Sequence, residues 1–357
     1  MTTTPSRGAL ALAGLGRRVV QDYAVGVVLV LVCVFLSIRS PQFSTAANIS
    51  NVLDQVSMIG IITMGMAILL VSANFDLSIG GMVGLSTVSI AKIGNAHGLV
   101  TGVVAGLLVA VALGVVNGLI VTRLRVNSLV ATLGSGLAYT GLALLVSKST
   151  PITVDDPGLT DLMNEKLLGV STPAWLFLVV IVVSAWFLHI TVAGQQTYAV
   201  GANADAARYA GVRVDLIRFI PFVLTGLFAG VASVIATGLL GSGVPTVADS
   251  WPLSVVAGAV VGGVSIAGGR GTVLMAVLGV LLVGVITNGL NLLNLDTAYQ
   301  KIVTGAILVL AVAVDAALQA WYRRRPPTSD DGPARAASGL TGEHAPRGGG
   351  ASVSATA

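Results

Sequence analysis

The chain has 357 residues, of which 55% are hydrophobic and only 10% are charged, with a formal net charge of +4. Soluble domains carry roughly 25% charged residues, so this composition predicts an integral membrane protein and excludes a string of soluble domains. The single cysteine, Cys33, lies in an apolar run, which excludes a disulfide framework and a cysteine-based metal site.

Ten apolar runs account for most of the length. A membrane-spanning helix needs about 20 mainly apolar residues, and the second, third and eighth runs are short or interrupted by glycine. The predicted fold class is an all-α polytopic membrane protein with about ten transmembrane helices. The segments are an N-terminal segment (1–20), a transmembrane domain (21–322) and a disordered tail (323–357) rich in Pro, Gly, Ser and Ala. The runs lie at about 22–38, 56–72, 78–93, 99–121, 128–147, 173–190, 219–240, 252–267, 272–293 and 299–320.

The basic residues predict how the chain is oriented. Lysine and arginine accumulate on the cytoplasmic side of membrane proteins. With a cytoplasmic N-terminus and ten spans, only five of the 19 basic residues fall outside: Arg39, Lys92, Lys148, Lys166 and Lys301. Both termini and the polar loop at 194–218 are therefore predicted to be cytoplasmic.

A polar segment separates the second run from the third. It contains Asn74, Asp76 and Ser78, followed by glycines. A carboxylate where a helix breaks and restarts is typical of a polar pocket at membrane depth, so these three residues are predicted to line a substrate pathway. The alternative is that Asp76 caps the third span at the inner surface.

Two further polar stripes are candidates for the pathway. Ser128, Thr132 and Ser135 are spaced four and three residues apart, so they share one helical face. Asn288 and Asn291 share a face of the ninth span. Hydroxyl and amide groups could exchange hydrogen bonds with a sugar, but such residues also bond their own helix or a neighbouring one.

Four pairs of glycines spaced four residues apart predict close helix packing without any chemistry. They are Gly102/Gly106, Gly114/Gly118, Gly226/Gly230 and Gly258/Gly262.

The polar loop at 194–218 contains a predicted short helix. Asn203 is placed to act as its N-cap, Asp205 lies in the first turn, and Gly211 stands at the C′ position. Such a helix between two spans has nothing of its own to pack on. It is therefore a candidate docking element for a soluble partner, or else an ordinary amphipathic cytoplasmic loop.

The sequence lacks the motifs that several kinds of enzyme or metal site require. No glycine precedes a lysine, so the chain has no phosphate-binding loop of the Gly-Lys-Ser/Thr type. The histidines are scattered, which argues against a zinc site. The sequence predicts a non-enzymatic membrane protein without metal, cofactor or nucleic acid. A transporter driven by an ion gradient is the rival reading, but few ionisable residues lie inside the runs.

One segment resembles a known motif. Asp205-Ala206-Ala207, three further residues and Gly211 resemble the Glu-Ala-Ala…Gly coupling motif of the permease subunits of bacterial ABC importers. Aspartate stands in place of the usual glutamate, and the downstream Ile-x-Leu-Pro of the motif is reduced to Ile220-Pro221.

Three other segments resemble permeases of the ribose/xylose/galactose-type sugar importers. Residues 74–80 are similar to their Gly-Gly-Ile-Asp-Leu-Ser-Val-Gly. Residues 127–134 are similar to their Pro-x-Phe-Ile-Ala-Thr-Leu-Gly, and residues 261–272 to their Gly-Gly-x-Ser-x-x-Gly-Gly-x-Gly turn. Asn74 and the pair Asn127-Ser128 depart from these patterns. The resemblance extends from about residue 48 to 315.

The resemblance implies a permease subunit of an ATP-driven importer of a monosaccharide, in the bacterial plasma membrane and with a fold like that of the vitamin B12 importer permease. Implied partners are a cytoplasmic ATPase that carries ATP and Mg, an extracytoplasmic solute-binding protein and a second permease subunit. Permeases for branched-chain amino acids or nucleosides are alternatives. The implied ATPase-coupling residues are Asn203, Asp205, Ala206, Ala207, Arg208 and Gly211.

Overall fold

The computed structural model describes residues 25–323, without the side chains of residues 297, 311 and 314–323. The predicted segment at 1–20 and the predicted tail, apart from Arg323, lie outside these residues. The chain divides after Asp315 into two units, and the described part of the second is only the end of a helix. The helices are α1 (Val25–Arg39), α2 (Ala46–Val71), α3 (Ile79–His97), α4 (Leu99–Thr122), α5 (Ser128–Ser147), α6 (Gly158–Asn164), α7 (Thr172–Ile190), α8 (Val192–Ala202), α9 (Ala204–Tyr209), α10 (Val214–Leu240), α11 (Trp251–Gly262), α12 (Val273–Leu292) and α13 (Thr297–Arg323).

Four two-residue strands occur in the connections. β1 (Ile152–Thr153) pairs with β4 (Ser242–Gly243), and β2 (Lys166–Leu167) pairs with β3 (Val170–Ser171). Both pairs are antiparallel. The first pair joins segments far apart in sequence, so it ties the connection after α5 to the connection after α10.

Within residues 25–323, each of the ten predicted runs overlaps a helix, namely α1–α5, α7 and α10–α13. Within residues 25–323, six helices are long and apolar enough to cross a membrane: α2, α4, α5, α7, α10 and α12. The described part of α1, α11 and the stretch Ala298–Leu310 of α13 are shorter apolar helices. The all-α polytopic membrane class is confirmed, and the number of ten spans stays a prediction.

Two helices differ in extent from the apolar runs that predicted them. α2 begins at Ala46 rather than near 56, because the Thr45 hydroxyl accepts a hydrogen bond from the Asn48 N–H and starts the helix in a polar stretch. α11 ends at Gly262 rather than at 267, because Gly263 adopts a φ of 109° and ends the helix there. Hydropathy marks the apolar part of a helix, whereas caps set its ends.

Glycines let the helices approach closely, as predicted from their spacing. At the crossing of α4 and α10, a Cβ added to Gly226 would lie 2.6 Å from the Ala110 carbonyl oxygen and 3.1 Å from the Gly114 Cα atom. Both distances are shorter than van der Waals contact, so only glycine fits there. The buried core formed by α2, α3 and α10 depends on such approaches.

We predict that Gly226→Ala lowers the thermal stability of the detergent-solubilised protein. The added methyl group must push α4 away from α10, and overpacking of this kind costs about 1–3 kcal/mol. Gly134→Ala is the matched control, because a Cβ at Gly134 meets no atom within 4 Å. Equal melting temperatures for both variants would contradict the crossing.

Candidate functional site

The short helix α9 forms as predicted. The Asn203 side-chain oxygen accepts hydrogen bonds from the N–H groups of Asp205 (3.1 Å) and Ala206 (3.0 Å), which makes Asn203 the N-cap. After the helix, Gly211 has a φ of 83°. The Val212 N–H then bonds the Ala207 carbonyl at 3.0 Å. Both ends of α9 are therefore fixed by local hydrogen bonds.

The expectation that this helix has nothing to pack on was wrong. Ala207 is buried and packs in a small apolar cluster with Val200 of α8 and with Val214 and Ile217 of α10. The predicted loop to residue 218 was also too long, because α10 begins at Val214. Val214 and Ile217 are both buried and lie three positions apart, a spacing that favours a helix from Val214 onward.

The other face of α9 is open. The side chain of Asp205 is 84% exposed and that of Arg208 is 59% exposed. The Arg208 guanidinium lies 3.6 Å from the Asp205 carboxylate and 4.0 Å from that of Asp215. Exposed pairs of this kind contribute at most about 1 kcal/mol, so Arg208 is available to other partners.

Tyr209 is a candidate that the sequence reasoning missed. It is 93% exposed, which is unusual for a large aromatic residue. It stands two positions after the buried Ala207, and two positions on a helix turn through about 200°. Counting helical positions from Ala207 therefore places Tyr209 on the opposite, solvent-exposed face of α9.

Helix α8 connects α9 to the rest of the protein through glycines. A Cβ at Gly201 would collide with the Val71 carbonyl oxygen at the end of α2. The same carbonyl accepts a hydrogen bond from the Gly269 N–H at 2.9 Å. The Tyr198 hydroxyl donates to the Gly271 carbonyl at 2.7 Å. The α8–α9 segment is thus attached to both α2 and the connection between α11 and α12.

Asp76 lies at the centre of a buried polar network. Its Oδ1 accepts hydrogen bonds from the N–H (2.9 Å) and the hydroxyl (2.6 Å) of Ser78, and its Oδ2 accepts one from the Asn117 amide at 3.3 Å. The Asn117 oxygen in turn accepts from the Tyr139 hydroxyl at 2.9 Å. Each of these hydrogen bonds is donated to Asp76 by Ser78 or Asn117.

Asn117 was missed because nothing in the sequence connects it to Asp76. The signal was a single amide in the otherwise apolar helix α4, where an unpaired amide is costly. It is fully buried. Its amide group also donates to the Ser78 hydroxyl at 2.7 Å, so it joins α4 to the start of α3.

The hydroxyl stripe of α5 faces the break between α2 and α3. The Phe75 N–H donates to the Ser128 hydroxyl oxygen at 3.2 Å, and the Leu77 N–H donates to the Thr132 hydroxyl oxygen at 3.0 Å. Ser135 donates to the Thr132 carbonyl at 3.3 Å. These side chains bond backbone inside the protein, and their role as a solute path stays a prediction.

The remaining amides also have partners. Asn74 donates to the Ser72 carbonyl at 3.0 Å. Asn288 and Asn48 bond each other in both directions, at 2.9 and 3.1 Å, and so connect α12 to α2. Asn291 accepts from the Gln300 amide. The sequence reasoning missed Asn48, whose signal was an amide near the start of an apolar run.

Comparison with known proteins assigns the chain to a family. The family described as "Branched-chain amino acid transport system / permease component" matches residues 48–312. The chain belongs to this family. It is a multi-pass protein of the bacterial plasma membrane.

Members named as sugar permeases resemble it over most of its length. The ribose import permease protein RbsC of Escherichia coli K12 is 34% identical over 81% of this chain and 92% of its own. The L-arabinose ABC transporter permease protein AraH of Azospirillum brasilense is 36% identical over 84% of this chain and 88% of its own. The D-allose transport system permease protein AlsC of E. coli K12 is 30% identical over 80% and 88%.

We predict that Asn117→Ala lowers the thermal stability, because it leaves Asp76 and Tyr139 without a shared partner. Leaving buried polar groups unpaired costs about 1–3 kcal/mol. Thr122→Val is the control on the same helix, since the Thr122 hydroxyl bonds only its own helix at the Gly118 carbonyl. A melting temperature that falls no further for Asn117→Ala than for the control would show that the network is dispensable.

Proposed function

We propose that this chain is the permease subunit of an ATP-driven ABC importer and that α9 is its contact with a cytoplasmic ATPase. The observation that carries the proposal is the geometry of α9, which is capped at both ends, anchored by Ala207 and open on the opposite face. A rigid projection of this kind transmits force without deforming. Its position between α8 and α10 links it to the helices that cross the membrane.

The energy source is proposed to lie in the partner. The chain has no Gly-Lys pair for a phosphate-binding loop, so ATP and Mg are assigned to the ATPase. Closure of two ATPases around ATP would move α9, and the attachment of α8 to Val71 and to Gly269 would carry that motion to α2 and to the connection before α12. Such a switch requires two states with different affinities for the partner.

The proposed substrate is a monosaccharide of the pentose or hexose type. The relatives are named for ribose, arabinose and allose. Aromatic residues are only 5% of the chain, which leaves little material for stacking a sugar ring. Selectivity is therefore assigned to an extracytoplasmic binding protein. The second candidate is a branched-chain amino acid, because the family description names that class.

The proposed arrangement has ten spans, both termini inside and a second permease subunit around a central path, as in the vitamin B12 importer permease. Contacts within the chain support this sidedness. β1 pairs with β4, and both belong to connections predicted to be external. A second contact joins Val71, Gly201 and Gly269, which were all predicted to lie on the cytoplasmic side.

Uptake by cells that carry or lack this chain tests the function. We expect uptake of a labelled ribose, arabinose or allose that disappears on deletion and returns on complementation. Unlabelled monosaccharides should compete and leucine should not. ATP depletion should abolish uptake, whereas collapse of the ion gradient at constant ATP should leave it intact. Competition by leucine would reassign the substrate, and uptake without ATP would indicate an ion-coupled transporter.

Docking through α9 is tested by purifying the tagged protein from its native membrane in mild detergent. We expect a phosphate-binding-loop ATPase to accompany it. Arg208→Glu and Tyr209→Ala should each reduce its recovery about tenfold, the effect of losing a central interface residue. Tyr299→Ala is the matched control, because Tyr299 is also exposed but lies on α13. Equal recovery from all variants would exclude α9 as the contact.

A further inference from the structure

A cavity of about 640 Å³ opens where the end of α4 meets the start of α10, beside α9. It lies at the ends of these helices that were predicted to be cytoplasmic. Its lining combines two kinds of side chain. Three arginines form one part of the wall, and large apolar residues form the other.

The charged part of the wall contains Arg123, Arg208 and Arg213, with Asp215 as the acid among the lining residues. Arg208 is engaged in the exposed pairs with Asp205 and Asp215. Within residues 25–323, no ion pair joins Arg123 or Arg213 to an acidic side chain. The cavity therefore carries an excess of positive charge, and its guanidinium groups suit a phosphate, which they bind in a bidentate manner.

The apolar part of the wall contains Leu119, Leu216 and Phe219. Leu119 and Leu216 are exposed, and Leu119 lies near the end of α4, one of the six helices apolar enough to cross the membrane. These side chains therefore stand where the acyl chains of a bilayer begin. A soluble anion would leave this apolar surface exposed to water, whereas the acyl chain of a lipid would bury it.

We propose that this cavity binds an anionic phospholipid of the adjacent leaflet. The phosphate is held by Arg123 and Arg213, with Arg208 at the rim, and the upper part of an acyl chain lies along Leu119, Leu216 and Phe219. Basic pockets between membrane helices on the cytoplasmic side recognise lipid headgroups in this way. The proposal rests on the membrane assignment and does not require an ATPase partner.

The test uses the full chain purified in detergent and exposed to mixed micelles that contain phosphatidylglycerol or phosphatidylcholine. Native mass spectrometry then counts the lipids that remain bound. We expect the wild-type protein to retain phosphatidylglycerol in preference to phosphatidylcholine. Arg123→Gln and Arg213→Gln should each weaken retention about fivefold, and together about twentyfold or more, because each arginine near the surface contributes by about this factor.

Arg125→Gln is the matched control. Arg125 is exposed and lies two positions from Arg123, but it does not line the cavity, so its variant should bind like the wild type. Unchanged retention in the double variant, or equal retention of the two lipids by the wild type, would overturn the proposal. Displacement of phosphatidylglycerol by inorganic phosphate alone would instead assign a site for a soluble anion.

The lipid site and the docking of an ATPase on α9 can be refuted independently of each other. If the double variant does not fold, the single variants and Leu216→Glu, which places a repelling charge on the apolar wall, provide the same comparison. Loss of the lipid with normal ATPase recovery supports the cavity independently of α9. Loss of the ATPase in the Tyr209 variant with normal lipid binding leaves the cavity assignment intact.

Discussion

The fold depends on how backbone groups are satisfied where α2 breaks and α3 begins. Backbone N–H groups that are buried away from water must be bonded inside the protein. At this break the Phe75 N–H is bonded by Ser128, the Leu77 N–H by Thr132 and the Ser78 N–H by Asp76. Side chains from α5 and from the break itself therefore replace the hydrogen bonds that a continuous helix would have made.

This break is packed closely against α8. Val71, at the end of α2, directly precedes the break. Its carbonyl oxygen accepts a hydrogen bond from the Gly269 N–H and lies so close to Gly201 that a Cβ there would collide with it. Because a methyl group at Gly201 would not fit there, α8 cannot shift toward the end of α2 without displacing Val71. The end of α2, α8 and the connection between α11 and α12 are therefore packed backbone to backbone, with no long flexible side chain between them. The network of Asp76 and Asn117 then fixes α3 to α4.

The sequence predicted what is local and missed what depends on packing. The caps of α9 followed from Asn203 and Gly211, because an N-cap and a C′ glycine act on their own helix. The partners of Asp76 and Asn288 did not follow, since Asn117 and Asn48 lie 41 and 240 residues away. Such pairs are chosen by the way helices cross, and one sequence carries no record of that crossing. Tyr209 was predictable only once Ala207 was known to be buried.

The buried network also bears on the energy source. Asp76 is the acid that is fully buried among the described side chains. A transporter driven by protons needs a carboxyl group that gains and loses its proton as the two sides of the membrane alternate. Each hydrogen bond recorded at Asp76 comes from a donor on Ser78 or Asn117. These hydrogen bonds to Ser78 and Asn117 fix the start of α3 to α4. They give Asp76 a structural role, which accounts for its burial without any need for proton transfer.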